Sequence, residues 1–174
     1  IILVGDEKIS SNSLLSQRLP TQIISPDRGF VVGGTPNLKR SYLDWGVFHD
    51  HKEILKTYNS YNKTLKNINA ILASKNQNQL DEWLSQLSFL SVEISQARIN
   101  YIQKLIKILE ESSLQKLESF IESTKNLKFK LQTGWTKDVD GLNQKEIITY
   151  LQNNKDSFIR TKHLGYGPHR ATVD

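Results

Sequence analysis

At 174 residues the chain has room for one modest core, and with 37% hydrophobic and 24% charged residues it is expected to fold into an elongated body with much wetted surface, so disorder throughout is excluded. The absence of cysteine excludes a disulfide framework, a thiol nucleophile and a thiolate metal site, and no apolar run approaches the roughly 18 to 20 residues that span a bilayer. Lys and Arg outnumber Asp and Glu by 23 to 18, a net charge of +5 that permits a nucleic-acid partner without requiring one.

Residues 1–9 are apolar except around Gly5-Asp6, which predicts a strand, a tight turn and a return. With no Met and an abrupt Ile-Ile-Leu-Val start, the chain is expected to be a piece whose early part is missing. No basic segment precedes an apolar signal region, and the expected location is cytoplasmic. Residues 22–24 form a second candidate strand closed by Ser25-Pro26-Asp27, after which Gly29, Gly33, Gly34 and Pro36 mark a loop. Leu38, Tyr42 and Leu43 then fall at the spacing of a short helix.

A long helix is predicted over about 51–73, where Tyr58, Tyr61, Leu65, Ile68 and Leu72 advance by alternate threes and fours. Polar residues 74–79 read as a turn, and Leu87, Leu90, Ile94, Ala97, Tyr101, Leu105 and Ile108 repeat the rhythm, so the two helices should pack antiparallel. Leu114, Leu117 and Ile121 continue helically. The alternation of Leu127, Phe129 and Leu131 with polar residues predicts a strand ending at Gly134-Trp135. Asn143 and Glu146 resemble a capping box for another short helix, and residues 166–170 read as strand and loop. The expected fold class is α+β: a head portion over 1–50, a helical arm over 51–125, and a returning strand-helix-strand region over 126–174.

Little in the chain can carry chemistry by itself. Gly29 to Gly34 is followed by Thr35-Pro36 where a phosphate-binding loop needs Lys and a hydroxyl, and no catalytic residue is assigned. His49, Asp50, His51 and Glu53 could hold a metal, as in a metal-dependent hydrolase, or simply mark a solvated loop-to-helix junction; without further ligands no metal is assigned. Lys63, Lys66, Lys104 and Lys107 lie off the apolar seams and could meet DNA phosphates or water. Lys39-Arg40 beside Asp44 could serve DNA or a buried ion pair, and His169-Arg170 after Gly-Pro could present a guanidinium to a phosphate or a carboxylate. A non-enzymatic coiled-coil interaction module is the alternative reading.

Several segments in order resemble the RecF family: Ser25-Pro26-Asp27, Gly34-Thr35-Pro36, Lys39-Arg40, Tyr42-Leu43-Asp44-Trp45-Gly46-Val47-Phe48-His49, Tyr61 to Leu72, the strand ending at Gly134-Trp135, and Gly167-Pro168-His169-Arg170-Ala171. Lys39 replaces a frequent Arg, and Thr172 stands where an Asp normally follows the Ala. The resemblance implies a partial ABC-type ATPase lobe, related to SMC and Rad50 heads, with an inserted antiparallel helical arm. It further implies a parent protein that binds ATP with Mg, forms an ATP-dependent homodimer, binds duplex and gapped DNA, and works with RecO and RecR to load RecA. Walker A, signature and Walker B motifs would lie outside this stretch, so no cofactor is expected here. His169 and Arg170 would sit near the nucleotide or dimer surface.

Overall fold

The computed structural model describes residues 2–4, 6–21, 33–74, 76–111 and 129–173. The strand-turn-return at the start is present: β1 (Ile2–Val4) pairs antiparallel with β2 (Glu7–Ile9), with Ile2 opposite Ile9. A short helix, α1 (Asn12–Arg18), follows, capped by the Ser11 hydroxyl, which accepts the Leu14 amide at 3.2 Å. No residue of α1 is buried, so no apolar stripe announced it in the sequence. The candidate strand at 22–24 and the Ser-Pro-Asp turn lie outside the described residues.

The helix expected to be short is α2 (Pro36–Asp50), a full 15 residues. Pro36 belongs to its first turn rather than to a loop: Thr35 is the N-cap, and the missing amide of a first-turn proline costs no helical hydrogen bond. The helix runs on through Trp45-Gly46 because Leu43, Gly46 and Val47 present one buried face. A Cβ on Gly46 would meet the Tyr101 ring, so the glycine sets how closely α2 approaches its neighbour.

The helical hairpin consists of α3 (Ile54–Ala73) and α4 (Leu80–Glu111). The link between them is tied by Ser74, whose hydroxyl donates to the Ile71 and Asn76 carbonyls, and by the Asn78 amide, which donates to Asn76 Oδ1. Tyr61, Ile68 and Leu72 from α3 are buried with Leu80, Leu84, Leu87, Leu90 and Ile94 from α4, as the three-four spacing predicts. At the far end of the α4 seam the expectation fails. Ile108 is 57% exposed, and the buried position there is Ile102. Residues 114–121 lie outside the described residues.

Beyond the hairpin, β3 (Leu131–Gln132) pairs antiparallel with β4 (Thr172–Val173). Of the expected alternating strand, Leu127 and Lys128 lie outside the described residues, 129 and 130 are irregular, and Leu131–Gln132 is strand. Next come α5 (Gln144–Asn153) and α6 (Lys155–Thr161), of which α6 had no sequence signal beyond Phe158. The predicted cap is present. Asn143 Oδ1 accepts the Lys145 and Glu146 amides, while the Glu146 carboxylate accepts from Asn143 Nδ2 and the Asp140 amide. The tail expected as strand and loop is a loop and a 3₁₀ turn, Pro168–Arg170, with its strand displaced to β4.

Two apolar clusters hold these pieces. The larger joins α3 and α4 to Val139, Ile147, Leu151, Phe158 and Leu164; the smaller joins α2 (Leu43, Val47) to Ile54 and Ile102, with Phe129, Leu131 and Val173 packed against it. The described residues are therefore mostly helical, with two small antiparallel strand pairs among them. Among the described residues no helix is long and apolar enough to cross a membrane.

Candidate functional site

At the root of the hairpin, α2, α3, α4 and the 3₁₀ turn converge on a cleft of roughly 580 Å³. Its floor is a buried ion pair. Arg98, on the inner face of α4 and 3% exposed, forks onto Asp44 of α2, with Nε to Oδ1 at 2.8 Å and Nη2 to Oδ2 at 2.9 Å. Tyr58 of α3 donates to the same Oδ1 at 2.6 Å. The third side of the Arg98 fork donates from Nη1 to the Pro168 carbonyl at 2.8 Å, so one guanidinium ties three segments of the chain together. Burial by itself would favour loss of the Arg98 proton, but the hydrogen bonds and charge of Asp44 outweigh it and raise the pKa.

Two further bonds fasten the tail. Arg40 Nη1 donates to the Ala171 carbonyl at 2.8 Å while Nη2 reaches Asn37 Oδ1 at 3.0 Å. Tyr61 sits 2.8 Å from His169 Nδ1, and His169 Nε2 lies 3.2 Å from the Leu164 carbonyl. A carbonyl only accepts, so the neutral ring carries its proton on Nε2 and Nδ1 accepts the Tyr61 hydroxyl. Burial pushes the imidazole down to about 4, helped by the charge of Arg170, against the Leu164 bond that raises it. Burial also raises the Tyr58 and Tyr61 hydroxyls, so both stay protonated donors.

Backbone geometry completes the dock. The Gly167 amide donates to the Gly134 carbonyl at 2.9 Å. Both glycines have positive φ, +88° at Gly134 and +127° at Gly167. A Cβ at Gly134 would collide with the Gly167 carbonyl and come within 2.7 Å of the Ala171 amide. The Gly-Trp and Gly-Pro-His segments thus fit because neither carries a side chain at the crossing.

The sequence-derived candidates divide accordingly. Arg40, His169 and Arg170 are brought together, with His169 turned inward and Arg170 exposed. Of the two readings open for Lys39-Arg40 beside Asp44, DNA contact or a buried ion pair, the structure adds a partner that neither named: Asp44 is held by Arg98, which comes from 54 residues away. Lys63 and Lys66 are exposed on the outer face of α3, a helix without a single Asp or Glu. Lys104 lies apart from them and pairs with Asp50 at 2.7 Å; Lys107 lines a shallow cleft beside it. His49 packs its ring against Trp45 and Phe48, His51 ends α2, and among the described residues no three His, Asp or Glu side chains converge as metal ligands.

No family model matches the chain. The fold is shared with a solved recombination mediator protein. A solved structure described as the recombination mediator protein RecF-ATP in the RecFOR pathway superposes with a TM-score of 0.65 and 24% identity, over 86% of this chain and 41% of that one. In sequence the likeness is to RecF in particular. The DNA replication and repair protein RecF of Psychromonas ingrahamii is 33% identical over 163 residues, and that of Hahella chejuensis 31% over 176, covering 91% and 99% of this chain. The chain is RecF-like along nearly its whole length, and spans 42% and 45% of the length of those two relatives.

Proposed function

We propose that the chain is an internal part of an ATP-dependent DNA-repair protein of the RecF type, in which a partial ABC-type ATPase lobe carries the α3–α4 hairpin as an inserted arm. The observation that carries this reading is the ordered similarity to RecF across 91% of the chain. The boundaries that go with it are a head portion over 1–50, the arm over 51–125 and the returning region over 126–174. The catalytic motifs, ATP and its Mg belong to the rest of the parent, which dimerises with ATP in the cytoplasm, binds duplex and gapped DNA, and works with RecO and RecR to load RecA.

Within this reading the chain supplies architecture and DNA contacts. The exposed Lys63 and Lys66 on acid-free α3 support a backbone-contacting face, because phosphate neutralisation needs cations without competing carboxylates. Lys39, Arg40, Lys104 and Lys107 are the remaining DNA-contact candidates, although Lys104 must first give up Asp50. His169 and Arg170 lie on the side turned toward the nucleotide or dimer surface. Binding to gapped and duplex DNA measured against salt tests the reading. The Lys63→Gln, Lys66→Gln double variant should flatten the slope of log K on log salt by about 2. An unchanged slope removes α3 from the DNA.

A further inference from the structure

The two outer faces of the hairpin carry opposite charge. On α3 the exposed stripe runs Asn59, Lys63, Lys66, Ala70 and Ala73, and the helix contains no acid. On α4 the exposed stripe runs Glu82, Gln86, Phe89, Glu93 and Gln96, and no Lys or Arg occurs from Leu80 to Ala97. Each stripe lies two residues on from the buried seam of its own helix, which turns it about 200° away from the partner helix. Each also advances by alternate threes and fours, the spacing at which helices pair. Asp81 is held by Lys155, but Lys63, Lys66, Glu82 and Glu93 have no ion-pair partner among the described residues.

A hairpin that stands alone gains by mixing signs, because Glu and Lys three or four apart on one helix stabilise it. Both stripes forgo such pairs, and Phe89 sits 51% exposed in the middle of the acidic one. The stripes are also in register. Tyr58 and Arg98 meet on Asp44 Oδ1, which fixes them at one level of the hairpin. Five residues from each toward the tip stand Lys63 and Glu93, and twelve residues from each stand Ala70 and Gln86. Lys66 falls level with Leu90, one position from Phe89, and Asn59 falls level with Ala97, one position from Gln96. A second hairpin laid alongside in the same orientation sets its α3 antiparallel to this α4. Lys63 then faces Glu93, the Lys66 stem and ammonium cover the Phe89 ring, and the small Ala70 and Ala73 make room for Gln86 and Glu82.

We propose that the arm docks a second copy of this chain, with the outer stripe of α4 on one copy seated against the outer stripe of α3 on the next. The contact repeats the antiparallel packing inside the hairpin, so it needs no nucleotide and is separate from the ATP-dependent dimer of the functional reading above. It is head-to-tail: each copy keeps one stripe free, and copies add in a row or close into a ring instead of stopping at a symmetric pair. Lys63 and Lys66 serve one partner at a time, so the docked row is the DNA-free form.

Sedimentation of the chain without nucleotide or DNA, followed against protein and salt concentration, tests this. Self-association that rises with protein and falls with salt is expected. Lys63→Glu and Glu93→Lys each set like charges opposite one another and should weaken association by about tenfold. Mixed in equal amounts, the two variants present only opposite-sign pairs to each other and should recover wild-type association. Phe89→Gln removes the exposed ring and should also weaken association by about tenfold, with helical circular dichroism unchanged. A chain that stays monomeric up to about 1 mM overturns the proposal, as does a mixture that associates no better than its components. Undiminished association of Lys63→Glu overturns it too, because the contact would then run between two α4 stripes. Phe89→Gln alters no charge, so its DNA binding should keep the wild-type salt slope, and failure of the docking leaves the DNA reading standing.

Discussion

The His169 imidazole gives both ring nitrogens to protein partners and so folds in its neutral form. Its ordinary value of 6.5 falls to about 4, chiefly through burial. Between those two values the unfolded chain binds the proton and the folded chain does not. The stability that His169 contributes is therefore complete above about pH 6.5 and is lost as the pH falls toward about 4. Denaturation midpoints measured from pH 7 to 4 should drop more steeply for the wild type than for His169→Gln, and parallel curves would contradict this. At this scale the sequence was only partly readable. Arg40 beside Asp44 and His169 beside Arg170 were visible as two separate pairs, but Arg98 was not: its place four residues after Ile94 puts it on the buried side of α4, and nothing local in the sequence names a carboxylate 54 residues away as its partner. The residue that organises the root is legible only once α2 and the tail are in place.

Elements with long periodic seams were the most legible, because the three-four spacing in α3 and α4 records the same burial that the fold realises. Short elements were not. α1 buries nothing and α6 buries only Phe158, so neither leaves a pattern. β3 and β4 are two residues each and exist because Gly134 and Gly167 let two loops cross. That crossing can be tested directly. Gly134→Ala places a methyl group against backbone atoms that have no room to move, at a φ that an L side chain avoids, and should cost upward of about 2 kcal/mol by chemical denaturation. A cost under about 0.5 kcal/mol would mean that the dock relaxes freely.

Over the whole molecule, the two apolar clusters share Tyr58, whose hydroxyl donates to the Asp44 carboxylate that Arg98 holds, while the same guanidinium reaches the Pro168 carbonyl of the tail. Arg98→Met leaves Asp44 with the Tyr58 hydroxyl alone and the Pro168 carbonyl without its guanidinium donor, and because Asp44 is partly exposed the cost falls toward the lower end of the range for breaking a buried pair, about 3 kcal/mol. Because the Arg98–Asp44 pair anchors Tyr58, which packs against both clusters, helical circular dichroism and Trp fluorescence should lose stability together in a single transition. Separate transitions would show that the hairpin folds independently of its root.

The order in which these partners leave the ribosome follows from the same geometry. Arg98 meets the Pro168 carbonyl 70 residues later, Tyr61 meets His169 after 108, and Arg40 meets the Ala171 carbonyl after 131. A nascent hairpin can zip its apolar seam early, yet several of its polar ties stay empty until the Gly-Pro-His-Arg turn emerges. Translation past residue 171 is thus the event that closes the root, and a stalled chain shorter than that would expose it to chaperones and proteases.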